Sequence, residues 1–283
     1  MKLFKTEQLL NGQLNRVLPI GLYKEILLIY SGTNQAGKAV TRADFGTVRV
    51  MRGNQLQHYV TVELLQRFTD LKYGTAPFSS TVGGAFSLTC KLPLRPLDDI
   101  QSGTYFDGSA GTYIELLFPD LLNLITSGIV KVYLIPAMVS TGYIPSYSMQ
   151  SIQSGGASVD TEIISGRNTA ALYALYNTTF TNVNVRVDGD LRVEATLEDL
   201  RTNSAINNRI ENTSSDGYNL VEIDLNPNKI SSLATNDRTV FGFTTNAAGS
   251  LVMMKLQYNF APSSVTPTPT PRPQVEGVAE ETA

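Results

Sequence analysis

The sequence predicts an all-β protein built from two tandem β-sandwiches with short helices. Three observations lead there: a strand-and-loop composition, a succession of short apolar runs separated by turn residues, and a series of motifs that occurs twice in one order. Charged residues make up 17% of the 283 positions, below the usual quarter. Thr, Ser, Asn, Tyr and Val are abundant, and β-branched and aromatic side chains suit a pleated, half-buried surface. The length suffices for one large domain or two ordinary ones, with a core that needs no covalent staple. There are 22 Lys and Arg against 25 Asp and Glu, with no block of like charge. Neither a DNA-binding arm nor a polybasic membrane patch is therefore expected, and no direct nucleic-acid partner. Cys90 is the one cysteine and there is no Trp, so an intramolecular disulfide is excluded. The opening Met1–Leu10 lacks the apolar core of a secretory signal. No run approaches the roughly 18 apolar residues of a membrane span.

Taken in order along the chain, residues 1–14 read as a short amphipathic N-terminal arm, with Leu3, Phe4, Leu9 and Leu10 among polar residues. Residues 15–140 form a first strand-rich block. Its candidate strands are Glu25–Tyr30, Thr47–Met51, Phe86–Leu92, Thr112–Phe118 and Ile129–Ile135. Residues 141–160, Ser-rich with Pro145, Gly155 and Gly156, read as a linker. The second block, 161–262, offers Ala171–Tyr176, Asn182–Val187, Asn219–Asp224, Thr239–Thr244 and Leu251–Phe260. Residues 263–283 are an extended C-terminal tail. Its alternating Pro and Thr remove ladder donors and favour polyproline II. Helical signals are short. Val62–Leu71 places Val62, Leu65, Phe68 and Leu71 on one face behind Thr61 as N-cap. Thr196–Arg201 has Thr196 as cap and Asp199 three positions on.

The two blocks repeat one another. Leu28-Ile-Tyr30-Ser-Gly-Thr33 matches Ala174-Leu-Tyr176-Asn-Thr-Thr179, and Val48-Arg49-Val50 matches Val185-Arg186-Val187. The helix opening Thr61-Val-Glu63-Leu-Leu65 matches Thr196-Leu-Glu198-Asp-Leu200. Phe86-Ser-Leu88 matches Tyr218-Asn-Leu220, and Gly128-Ile-Val130-Lys-Val132 matches Ser250-Leu-Val252-Met-Met254. The first valine of V-R-V precedes the helix threonine by 13 residues in one block and 11 in the other. That threonine precedes the next strand's aromatic by 25 and 22. Two such units, all short strands with one helix, point to Greek-key sandwiches of the jelly-roll kind, a double jelly roll.

The first block also resembles a known family. Leu18-Pro19-Ile20-Gly21 leads to Glu25-Ile-Leu-Leu-Ile-Tyr30-Ser31-Gly32, then Val48-Arg49-Val50, a glycine turn and a short Leu-rich helix. This is similar to the opening of the major capsid proteins of membrane-containing, tailless icosahedral bacteriophages of the corticovirus type. The flavobacterial single-stranded DNA phages are related in design. The motif match covers about residues 15–70, and the duplicated layout extends it to about 262. The resemblance implies two upright jelly rolls per chain and a homotrimer that presents six similar towers. Such a pseudo-hexameric tile would pack over an internal membrane in an icosahedral virion assembled in the bacterial host cytoplasm. Its implied partners are other copies of itself, penton and minor capsid or membrane proteins, and the lipid indirectly.

Residues that could carry chemistry have plainer readings beside them. Gly32-Thr-Asn-Gln-Ala-Gly37-Lys38-Ala39 approaches a P-loop, but Ala39 stands where a hydroxyl should meet Mg²⁺, and strand rather than helix follows. His58 is the one histidine, which excludes triads and multi-histidine metal sites. Cys90 reads as an inert buried thiol. Asp98-Asp99 and Asp188-Gly-Asp190 are carboxylate pairs set among turn residues. Calcium in such a turn stays open, although no full set of oxygen ligands is spelled out. Asn177-Thr-Thr179 and Asn212-Thr-Ser214 fit the glycosylation sequon, which has no meaning in a bacterial host. Leu116–Leu122 and Met253-Met254 are core clusters or a trimer seam. Phe4, Leu9 and Leu10 would press the arm on a neighbouring protein. No catalytic or cofactor-binding residue, no enzyme activity and no cofactor are expected, and the metal requirement is open. The rival readings are a lectin-like carbohydrate-binding sandwich, a β-sandwich glycosidase and a minor vertex or spike protein.

Overall fold

The computed structural model of the chain describes residues 1–74, 78–95, 101–106, 111–140, 143–155, 158–163, 169–176, 180–187, 189–208, 218–224, 239–245 and 248–260. A first series of elements runs β1 (Lys2–Gln8), β2 (Gly12–Val17), β3 (Gly21–Asn34), β4 (Thr47–Arg52), β5 (Gln55–Thr61), α1 (Val62–Tyr73), β6 (Ser79–Ser80), β7 (Ala85–Pro93), β8 (Ser102–Phe106), β9 (Thr112–Phe118), β10 (Ile125–Pro136) and β11 (Val139–Ser140). The second runs β12 (Tyr143–Gly155), β13 (Ser158–Ile163), β14 (Thr169–Tyr176), β15 (Phe180–Val187), β16 (Asp190–Thr196), α2 (Leu197–Asn208), β17 (Asn219–Asp224), β18 (Thr239–Thr245) and β19 (Ala248–Phe260).

Alternation along these strands sets the layers, because successive side chains point to opposite faces. Ile26, Leu28 and Tyr30 of β3 turn inward to meet Leu88, Cys90 and Leu92 of β7 and Val130, Val132 and Leu134 of β10. Ile114, Leu116 and Phe118 of β9 and Val48 and Val50 of β4 close the core from the other side. The ladders are β1-β10-β3-β7 and β2-β9-β4-β5 in the first unit, and β12-β19-β14-β17 and β13-β18-β15-β16 in the second. With the three short strands β6, β8 and β11 set aside, each unit has the order first-eighth-third-sixth and second-seventh-fourth-fifth. That is a jelly roll, here present twice, with one helix between the fifth and sixth strands each time.

Both helices start as their sequences dictate. The Thr61 side chain accepts the Leu64 N–H at 3.2 Å, and Gly74 ends α1 in the left-handed region, at φ 59°. The Thr196 side chain accepts the Asp199 N–H at 3.1 Å, while the Asp199 carboxylate accepts the Thr196 N–H at 3.1 Å. This reciprocal cap seeds a helix that continues to Asn208, well beyond the expected Arg201.

The ladders also fix how the units superpose. Thr47 pairs with Thr61 as Asn182 pairs with Thr196. Val48-Arg49-Val50 therefore corresponds to Val183-Asn184-Val185, two residues before the V-R-V of the second block, and the valine-to-threonine spacing becomes 13 in both. Tyr30 pairs with Leu88 and Val130, and Tyr176 pairs with Asn219 and Leu251. In the last two motif pairs the matched residues are thus one position out of step. Leu88 corresponds to Asn219, and Val130 to Leu251.

Two segments differ from expectation. The expected arm, 1–14, is not an arm: β1 pairs with β10 from Lys2–Leu134 to Gln8–Ile129, and Leu9 and Leu14 are buried in the core, with Phe4 and Leu10 packed against it. The stretch 141–160, expected as a linker, is largely β12, which pairs with β19 from Tyr143–Phe260 to Gly155–Ala248. Serine is neutral enough for a strand when a ladder satisfies the backbone on one side. The 263–283 tail lies outside the described residues.

Candidate functional site

Among the described residues, the two units meet along a seam. β5 and β12 touch as a parallel pair at His58 and Tyr147, which joins one layer of each unit into a single sheet, β17-β14-β19-β12-β5-β4-β9-β2. The His58 and Tyr147 rings stack with centroids 5.6 Å apart, and the Tyr147 N–H donates to His58 Nδ1 at 3.3 Å. Burial holds the His58 imidazole neutral and lowers its pKa to about 3. The Ser146 hydroxyl donates to the Gln57 carbonyl, and the Thr61 N–H reaches the Met149 sulfur at 3.2 Å.

Helix α1 seals the seam. Its buried residues include Val62, Leu64, Leu65, Gln66, Arg67, Phe68, Thr69 and Leu71, so it is covered nearly all round. One side rests on its own unit, where the Thr69 hydroxyl accepts the Lys91 N–H at 2.9 Å. The other meets the outward face of β14, β17 and β19. Phe68 meets Tyr173 edge-on at 5.3 Å, Arg67 lies 3.8 Å over the Tyr218 ring, and Lys72 pairs with Glu222 at 3.5 Å. Glu222 also accepts the Tyr173 hydroxyl at 3.1 Å. Tyr147, Tyr173, Leu175, Leu220 and Met254 are therefore buried with the first unit's core rather than with their own. Each large side chain buried this way contributes about 1.5–3 kcal/mol.

The residues singled out in the sequence fall into separate places. The P-loop-like segment is a structural connection: Asn34 donates to Ser80 Oγ and the Thr81 carbonyl at 3.0 and 2.7 Å, and Lys38 donates to the Asn123 carbonyl at 2.5 Å. A single 3₁₀ turn, Arg42–Phe45, leads from it into β4, so no helix N-terminus faces the loop. Cys90 is buried in β7, where the apolar surroundings push its thiol well above the usual range. Asp98-Asp99 and both sequons lie outside the described residues, as does Asp188; Gly189 turns at φ 90° into β16 at Asp190. Among the described residues no three His, Cys, Asp or Glu gather into a metal-holding group. Leu116, Phe118 and Leu121 belong to the first unit's core, while Leu122 is exposed. Met254 lies in the seam between units, and the side chain of Met253 is outside the described set. The seam's charged residues, Arg67, Lys72 and Glu222, carried no sequence signal of their own, since each is an ordinary helix or strand residue until the units are placed together.

No family model and no curated protein matches the chain. Solved structures do. The chain is similar to one from the atomic structure of Sulfolobus turreted icosahedral virus, at 11% identity and TM-score 0.63 over 92% of this chain and 91% of that one. It is similar to the major capsid protein of bacteriophage PM2, at 13% identity and TM-score 0.56 over 92% and 98%. It is also similar to the Faustovirus major capsid protein, at 6% identity and TM-score 0.53 over 88% and 87%. At these identities the likeness establishes the fold, the double jelly roll.

Proposed function

We propose that this chain is a major capsid protein. Three copies form a capsomer with six jelly rolls, a pseudo-hexameric tile of an icosahedral virion that encloses an internal membrane. The observation that carries this reading is the side-by-side locking of two jelly rolls of identical strand order by a continuous sheet and a buried helix. One chain thereby contains two of the repeats that a closed ring of such units needs, and closed rings are the usual outcome of head-to-tail contacts that meet. In three solved structures the same fold, over most of both chains, belongs to a chain of an icosahedral virus and to two viral major capsid proteins. The role is structural and involves no catalysis. Its partners are further copies, penton and minor capsid proteins and, indirectly, the lipid, in a virion assembled in the bacterial host cytoplasm.

The test is the mass of the purified protein by light scattering. Three times 30.8 kDa is the expected particle. A species that stays at one chain's mass at every salt and calcium concentration contradicts the reading and redirects the work to glycan-binding assays.

A further inference from the structure

The two helices are equivalent in topology but not in surroundings. With Thr61 matched to Thr196, the α1 residues that grip the second unit, Arg67, Phe68 and Lys72, correspond to Thr202, Asn203 and Asn207 of α2. α1 is covered on both sides, whereas Glu198, Asp199, Thr202 and Asn203 form an exposed row on α2. The receiving faces are equivalent as well. Leu175, Glu222 and Met254 of the second unit correspond through the ladders to Ile29, Lys91 and Tyr133 of the first. In the second unit that face is buried under α1; in the first, Ile29, Lys91, Lys131 and Tyr133 are half-buried.

Charge separates the two seams. Where the second unit offers Glu222 to Lys72, the first has Lys91, whose ammonium lies 4.9 Å over the Tyr73 ring of its own α1. Lys131 lies across β3 and two residues along the ladder, so a helix carrying α1's bases would meet like charge there. The exposed row of α2 is acidic and polar instead, and no base sits in its last turn. Two strands that end their ladders among the described residues lie alongside: β1, with Leu3 exposed, and β16, with Leu191 exposed, occupy the places that β12 and β5 hold in the internal seam.

We infer that the exposed row of α2, with the edge of β16, docks on the outward face of β1-β10-β3-β7 of a second copy of this chain, around Ser87, Lys91, Lys131 and Tyr133. The contact repeats between chains the seam that α1 makes within one, with polar and acidic groups replacing the aromatic and buried ion-pair contacts. It is heterologous: each copy presents α2 to one neighbour and the β3-β7 face to the other, so copies close into a ring rather than pairing two-fold. This rests on the capsid reading and deepens it by naming the surface.

Arg67 over Tyr218 maps onto Thr202 against Ser87, both exposed, which gives the test. The full chain with Ser87→Cys and Thr202→Cys together, treated with a short bismaleimide, is expected to yield covalent dimers and, as the end product, trimers. Either substitution alone is expected to stay monomeric on a denaturing gel; buried Cys90 does not react. Light scattering of the same samples before cross-linking separates the two levels. Multimers that do not cross-link in the double variant overturn this surface and leave the capsid reading standing. Dimers from Thr202→Cys alone place α2 against α2, a two-fold contact, and also overturn it. A native mass of one chain throughout overturns both.

Discussion

His58 is neutral because it is buried, and that neutrality is linked to stability. Folded, its pKa is about 3; unfolded, it returns to 6.5. Below pH 6.5 the unfolded chain takes up a proton that the folded chain refuses. The stabilisation is therefore complete above 6.5 and falls as the pH drops towards 3, by about 1.4 kcal/mol per pH unit in mid-window. His58→Phe keeps the stack on Tyr147 but loses the acceptor for its N–H. Urea unfolding is expected to show lower stability at pH 7 and a shallower decline between pH 6 and 4 than in the parent. The Lys72–Glu222 pair contributes through charge compensation in a buried seam. Lys72→Met strands a buried carboxylate and is expected to cost about 3–5 kcal/mol, whereas Lys72→Met with Glu222→Leu recovers most of that. Equal losses in the two variants would show that the pair contributes packing rather than charge compensation. Gly46 illustrates a backbone requirement: it sits at φ 67°, and a Cβ there would meet the Leu117 carbonyl oxygen at 1.9 Å.

At the scale of elements, the caps are testable one by one. Thr61→Ala removes the acceptor for Leu64 N–H, and Thr196→Ala removes one half of a reciprocal cap. Each is expected to cost about 1 kcal/mol by thermal or urea unfolding. The Thr61 loss also loosens the inter-unit seam, since Thr61 touches Met149. The order of elements is legible in the sequence because β4, β7, β9 and β10 each bury one face, leaving a clean alternation of apolar and polar residues. The register of β17 and β19 is not. Leu220 and Met254 face α1 while Val221 and Leu251 face their own core, so apolar residues lie on both faces and alternation no longer marks the inside. A one-residue slip then goes unseen. β12 is illegible for a related reason: Ser146, Ser148 and Ser151 have the composition of a linker, and only the long ladder with β19 makes them strand. The seam's ion pair was hidden because it joins residues 150 positions apart, in two units whose contact no local pattern announces.

At the scale of the whole molecule, one chain is a pair of jelly rolls of the same strand order and, in the proposed capsomer, a third of a ring. The internal seam is buried and rich in aromatic side chains; the proposed seam between chains would be acidic and polar on one side and basic on the other, so salt is expected to weaken the second more than the first. Raising the ionic strength should therefore lower the particle mass without lowering the unfolding midpoint of the single chain. The most direct measurement is electron microscopy of the purified particles with two-dimensional class averages. The expected image is a flat tile of pseudo-hexagonal outline with six similar lobes and true three-fold symmetry. Averages that show one isolated two-lobed particle, or a two-fold dimer, would contradict it.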